Sequence, residues 1–273
     1  MDVTEPLRVH ELGRDDGPIL MLLHGFTDSG LCWPDAVRRW RHDYRIVAPD
    51  ARGHGESPRF DPATSGRNRS DVMVADVVLL LETLTSESDG RPLLIGHSMG
   101  AGIAAVVLAS RPDLVCAGVL EDPPWFTRPP VDDRVPGEDT TQQWVQSFLD
   151  DLDGAVAKGR VEQPLWPEIE LRPWGVAKAQ LDPSLTDPEQ IVRQQPWVDV
   201  AAAITRPTLL VTGSRADQVL VGPLSRQRLA ELGNQHIEVE VVPGAGHTVR
   251  RDCTDAFHQI VEPWIKTQLS RDS

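Results

Sequence analysis

The chain of 273 residues contains very little cysteine: Cys32, Cys116 and Cys253, widely spaced and odd in number. Three such residues form neither a disulfide framework nor a metal-binding pair, so no metal is expected and a reducing cytoplasmic location is. Long apolar runs are missing too. Runs such as Ile19 to Leu23 and Val77 to Leu81 are far too short to span a bilayer, and the opening residues have no basic stretch followed by an apolar one. A membrane partner is therefore not expected. Positive charge is scarce: 27 Lys and Arg stand against 41 Asp and Glu, a formal charge of −14, with no Lys/Arg-rich run. A surface of that sign repels phosphate backbones, which argues against nucleic acid as a partner.

The length suits one α/β domain carrying an insertion. Short apolar, β-rich runs alternate with helical patterns, as in parallel strands joined by crossovers. Strands are expected at Leu7 to Leu12, Ile19 to Leu23, Arg45 to Ala48, Leu93 to Ile95, Val115 to Leu120, Thr208 to Val211 and Ile237 to Val242. Several are continuously apolar, as central strands covered on both faces should be. A crossover helix is expected over Asp71 to Leu84, with Asp71 able to cap it. From about Pro123 to Arg206 the pattern becomes Pro-punctuated and Trp-rich, with helical pieces at Thr141 to Leu152 and Glu189 to Gln194. Residues 123–206 are read as a lid inserted into a core formed by 1–122 and 207–273. The plainer alternative is a helical decoration whose tryptophans fill a small core of their own.

Gly96-His97-Ser98-Met99-Gly100 follows a short apolar strand and precedes the small-residue helix Ala101 to Ser110. This is a G-x-S-x-G elbow in the context that the chemistry requires. Glycine neighbours leave room for a strained serine backbone, so that the hydroxyl projects at the sheet edge near a helix start. His97 is read as a packed elbow side chain. Downstream, His247 in Val242-Pro243-Gly244-Ala245-Gly246-His247 can take the serine proton during attack and return one to the leaving group.

The sequence here resembles the α/β-hydrolase superfamily over nearly all of the chain outside the lid. The resemblance implies that fold: a mostly parallel sheet flanked by helices, with an inserted helical lid. His24-Gly25-Phe26-Thr27 is similar to the family's oxyanion loop, which would set the backbone N–H of Phe26 opposite that of Met99, with His24 holding the loop. Asp50-Ala51-Arg52-Gly53-His54-Gly55-Glu56-Ser57 looks like the family's D-x-R-G-x-G-x-S loop and is read as structural.

Two carboxylates compete to orient the base. Asp217 follows the strand at Thr208 to Val211, the usual family position, but with one extra residue in the surrounding motif. Asp122 follows the strand ending at Leu120, where some members, including fungal zearalenone lactonases, carry theirs. Asp122 is favoured because its spacing from Ser98 looks similar to that in those lactonases, and Asp217 remains the alternative. On the plainer alternative Asp122 only caps the lid entrance and Glu121 points away.

A serine nucleophile implies acyl transfer to water, without a cofactor, on a small-molecule ester or lactone. The aromatic lid suggests an apolar substrate of moderate size stacked on Trp125, Trp166 or Trp174. Thioesterase, amidase, carbon–carbon bond hydrolase and perhydrolase chemistry stay open, as does a small-ligand receptor that keeps the triad. Oligomeric state cannot be read from the sequence.

Overall fold

The computed structural model describes residues 5–60, 68–87, 90–126, 141–185 and 195–272. In chain order the elements are β1 (Val9–Gly13), β2 (Ile19–Leu23), α1 (Pro34–Trp40), β3 (Arg45–Pro49), α2 (Arg69–Glu87), β4 (Leu93–His97), α3 (Met99–Ser110) and β5 (Ala117–Glu121). Then come α4 (Thr141–Asp150), α5 (Leu152–Glu162), α6 (Glu168–Ala179), α7 (Trp197–Ala203), β6 (Thr208–Gly213), α8 (Pro223–Leu232), β7 (Ile237–Val242), α9 (Val249–Asp252) and α10 (Thr254–Asp272).

The strands form one sheet in the order β1-β3-β2-β4-β5-β6-β7. Only β1 runs antiparallel to its neighbour, pairing Val9 with Pro49 through Gly13 with Arg45. Every residue of β2, β4 and β5 is buried, which fits strands covered on both faces. The two-residue period of a strand then divides the core. Met21, Val47, Leu94, Leu120 and Leu210 face α2 and α3. Leu20, Leu22, Ile46, Ile95, Val119 and Leu209 face the opposite layer, where Trp33, Trp40, Phe257, Val261 and Trp264 lie. Each fully buried Leu, Ile or Val contributes roughly 1.5–3 kcal/mol. At the edge, β7 exposes Glu238 and Glu240, charges that discourage pairing with another sheet.

Helix α2 starts at Arg69, two residues before the expected point. Asn68, not Asp71, caps it: Asn68 Oδ1 accepts from the Ser70 N–H at 2.9 Å. Within the segment expected to form the lid, α4, α5 and α6 pack on one another and α6 reaches α1, whereas α7 packs on α3 and α8. The helical piece expected at Glu189 to Gln194 lies outside the described residues.

Candidate active site

The sheet order reverses beside β4, and the C-terminal ends of β4 and β5 open at that point, the usual place for a site in an open α/β sheet. Ser98 lies in the turn from β4 into α3 at φ 51°, ψ −116°. The turn is tight because α3 starts directly against the end of β2: a Cβ on Gly100 would sit 2.1 Å from the Leu23 carbonyl oxygen. Among the described residues three non-glycine positions have positive φ, and they are Thr27 (66°), Ser98 (51°) and Asp122 (43°). Each such position costs on the order of 1–3 kcal/mol and persists only where its surroundings over-determine it. All three are at or next to a position that the sequence singled out for chemistry.

Asp122 follows β5 and is fully buried. Its Oδ1 accepts from Thr212 Oγ1 at 2.7 Å and the Val221 N–H at 3.0 Å. Its Oδ2 accepts from the Leu220 N–H at 2.9 Å and lies 2.6 Å from His247 Nδ1. With an acceptor at Nδ1, the imidazole carries its proton there and leaves Nε2 as the basic nitrogen. Asp217 is exposed, and no hydrogen bond or ion pair reaches it among the described residues. Of the two candidate acids, the structure brings Asp122 to His247. Ser98 and His247 share no hydrogen bond, though their neighbourhoods touch through His97.

His97 does more than pack. Its Nε2–H donates to the His247 carbonyl at 3.2 Å, and the two rings lie 4.8 Å apart, so the elbow and the base loop are fastened together. Burial, followed by the charge of Arg250 and that of a protonated His247, holds its pKa well below the ordinary histidine value.

The oxyanion loop closes against the elbow. A Cβ on Gly25 would come within 2.7 Å of His97 Nδ1 and 3.3 Å of Ser98 Cβ, so only glycine fits. The Asp28 N–H donates to the Gly25 carbonyl at 3.1 Å, turning the chain around Phe26. The Phe26 and Met99 N–H groups donate to nothing among the described residues, so both stay available. His24 holds the loop as expected: Nδ1–H donates to the Gly25 carbonyl at 2.8 Å and Nε2 accepts from the Ala51 N–H at 2.9 Å. Burial lowers its pKa and keeps it neutral. Arg52 is bound by both oxygens of Asp76, and His54 is buried edge-on to Phe26, so this loop supports the oxyanion loop from behind.

Sequence reasoning missed the buried charges that surround these groups. Glu121 does not point away; it is fully buried, accepting from the Arg250 N–H at 2.8 Å and Arg250 Nη1 at 3.0 Å. A second ion pair thus runs beside the Asp122–His247 contact, one residue earlier on β5. Arg251 turns the other way, to Asp28 at 2.9 Å and to Glu170 of α6 at 3.0 Å. Lys178 of α6 also reaches Asp28. The one available signal was the Arg250-Arg251 pair so soon after His247, and its partners are too distant in sequence to be guessed.

The three candidate substrate tryptophans sit differently. Trp125 is buried and stacks on Trp197 with centroids 5.5 Å apart. Trp174 is buried among Phe148, Trp144 and Trp166, within the α4–α6 layer. Trp166 is half-buried; its Nε1–H donates to Asp252 at 3.0 Å, and Asp252 in turn accepts from the Gly246 N–H at 2.7 Å, one residue before the base. A cavity of about 520 Å³ between α2, α3 and α7 includes none of the candidate residues.

The fold is that of the α/β hydrolases. Residues 20–260 match the sequence model described as the alpha/beta hydrolase family, and the chain belongs to that family. It is similar to the lipase LipV of Mycobacterium tuberculosis, 35% identical over 120 residues, which are 43% of this chain and 41% of that protein. It is also similar to mouse epoxide hydrolase 4, 33% identical over 111 residues, 40% of this chain and 30% of that protein. These matches span less than half the length of either relative. Among solved structures, E-2-(acetamidomethylene)succinate hydrolase has the same fold, with a TM-score of 0.69, 22% identity and 95% of each chain covered. No helix among the described residues is long and apolar enough to cross a membrane.

Proposed function

We propose that the protein is a serine hydrolase that opens a carboxylic ester or lactone through an acyl-enzyme. The observation that carries this reading is the 2.6 Å contact between His247 Nδ1 and the buried Asp122 carboxylate, beside a strained serine elbow. Ser98 Oγ attacks the acyl carbon while His247 Nε2 accepts its proton. Asp122 then stabilises the imidazolium, and the Phe26 and Met99 N–H groups stabilise the oxyanion, each by about 3 kcal/mol of barrier. The alcohol leaves with the proton held on His247. Water, activated by the same nitrogen, attacks the acyl-serine and frees the acid.

The residue at the elbow separates this reading from the epoxide-hydrolase relative. A serine that opened an epoxide would be left as an ether, which has no carbonyl for water to attack, whereas an acyl-serine is hydrolysed readily. The lid is assigned the selection of substrate, with Trp125, Trp166 and Trp174 as its candidate aromatic wall. The test is a burst of p-nitrophenolate from a p-nitrophenyl ester. One equivalent per active site, with an acyl adduct located on Ser98 and no turnover in Ser98→Ala, supports the reading. Wild-type turnover in Ser98→Ala contradicts it.

A further inference from the structure

We propose that Lys178, carried on the lid helix α6, is a positioning residue for the oxyanion loop. It holds the Thr27 carbonyl and the Asp28 carboxylate so that the Phe26 N–H stays aimed at the place where the oxyanion forms. The inference rests on the proposed acyl-serine chemistry and adds a component that the triad motifs do not contain.

Thr27 is β-branched and sits at φ 66°, a left-handed conformation that such residues rarely adopt. It directly follows Phe26, so relaxation at Thr27 would pass through the Phe26 backbone to the Gly25–Phe26 peptide that carries the donor N–H. The strained turn is held by the buried Lys178, whose Nζ donates to the Thr27 carbonyl at 3.1 Å and to the Asp28 carboxylate. Asp28 is gripped from the other side by Arg251 Nη2 at 2.9 Å, and Arg251 Nε returns to Glu170 on α6 at 3.0 Å. Glu170 and Lys178 lie two turns apart on one helix face, so a single lid helix holds both ends of the clamp. Trp174 and Trp144 shield the ammonium with ring centroids at 5.3 and 5.8 Å. Burial would raise the Asp28 pKa, but the Arg251 and Lys178 charges overcome it and keep the carboxylate ionised.

A lid held only as a cover needs no buried charge. Apolar packing of the same volume does as well, since burying paired ions brings little net stability. Lys178 is one of three lysines in the chain, with Lys158 and Lys266, and it is buried against the residue after the oxyanion donor.

The test uses the full chain, p-nitrophenyl acetate, whose small acyl group needs little of the lid wall, and an aryl trifluoromethyl ketone, which adds to Ser98 as an anionic hemiketal. Lys178→Met keeps the stem and removes the donors. We expect kcat to fall ten- to a hundredfold with KM within threefold, and ketone affinity to fall in parallel with kcat. Thr27→Gly in the Lys178→Met background should recover part of both, because glycine adopts the left-handed conformation without strain. Leu171→Ala, a buried apolar change on α6 that removes no hydrogen bond or ion pair of the clamp, should lower Tm while leaving kcat and ketone affinity within twofold. If Lys178→Met cannot be purified, Lys178→Gln carries the comparison, with a smaller loss in the same direction. Retention of kcat and ketone affinity within twofold in the Lys178 variant, or losses no larger than those of Leu171→Ala at equal loss of Tm, overturns the proposal. A wild-type protein with no acyl-serine burst would refute the hydrolase reading instead, so the two failures are distinguishable.

Discussion

Asp122 and Asp217 are the same side chain in two environments, and the difference between them is measurable. Asp122 is buried and accepts from Thr212, Val221, Leu220 and His247, whereas Asp217 is exposed with none of these partners. An aspartate that stabilises an imidazolium acts in the transition state, so Asp122→Asn should lower kcat by up to about four orders of magnitude with little change in KM. Asp217→Asn should cost less than about tenfold. Ester kinetics on both variants checks the ranking, and the reverse order would remove Asp122 from the mechanism. Ser98 and His247 were readable as site candidates because an elbow and a small-residue loop at fixed places in strand order leave a strong trace. The cradle around Asp122 was not readable. Its donors, Thr212 and the Leu220 and Val221 N–H groups, lie about 90 or more residues further on and carry no motif of their own.

The strands were legible wherever apolar runs met turn residues, and their ends were not. β4 continues two residues beyond the expected Ile95, because the ladder with β5 persists to the pairing of His97 with Glu121. β5 begins at Ala117, not Val115, because Leu93 of β4 first pairs there. A hydrogen-bond partner, not hydrophobicity, sets such limits. The loop from Asp50 to Ser57, read as structural, has a consequence for stability. His54 is fully buried with Nε2 unpartnered, and burial, followed by the nearby His24, lowers its pKa to about 3. The unfolded chain binds a proton at His54 below about pH 6.5, whereas the folded chain does not until about pH 3. Stability from this group is therefore complete above pH 6.5 and is lost progressively as pH falls towards 3. In urea unfolding, His54→Phe should shrink the stability difference between pH 7 and pH 5 by about 2 kcal/mol. An unchanged difference would mean that His54 is not held neutral.

At the scale of the whole molecule, the tryptophan-rich segment was visible as a change of composition, while the division of labour among its rings was not. Trp174 packs against Phe148, Trp144 and Trp166, Trp125 stacks on Trp197, and Trp166 is bonded to Asp252 beside the base loop. Replacing each by Ala should therefore separate two roles. Trp174→Ala, at the centre of the α4–α6 layer, should cost about 3–5 kcal/mol of stability. Trp166→Ala should alter the ratio of kcat/KM for bulky over acetate esters at least threefold with a smaller loss of Tm. A uniform fall across all esters that tracks Tm in every variant would make the tryptophans packing residues alone. The charge balance was legible in outline only. Composition reports an acidic surface but not the interior, where Glu121, Asp28 and Glu170 are matched by Arg250, Arg251 and Lys178. Matched pairs inside a core leave no mark on net charge.

The positive-φ backbone at Thr27, Ser98 and Asp122 sets the chain's stability against its chemistry. A glycine at Thr27 or Ser98 would relieve backbone strain, and at Ser98 it would also delete the reacting group, whereas at Asp122 it would leave the Thr212, Leu220, Val221 and His247 donors without their acceptor. Selection of variants for heat resistance alone, with no assay of turnover, should thus enrich glycine at the site and return sturdier, inactive proteins. Directed evolution of this scaffold has to score both properties at once.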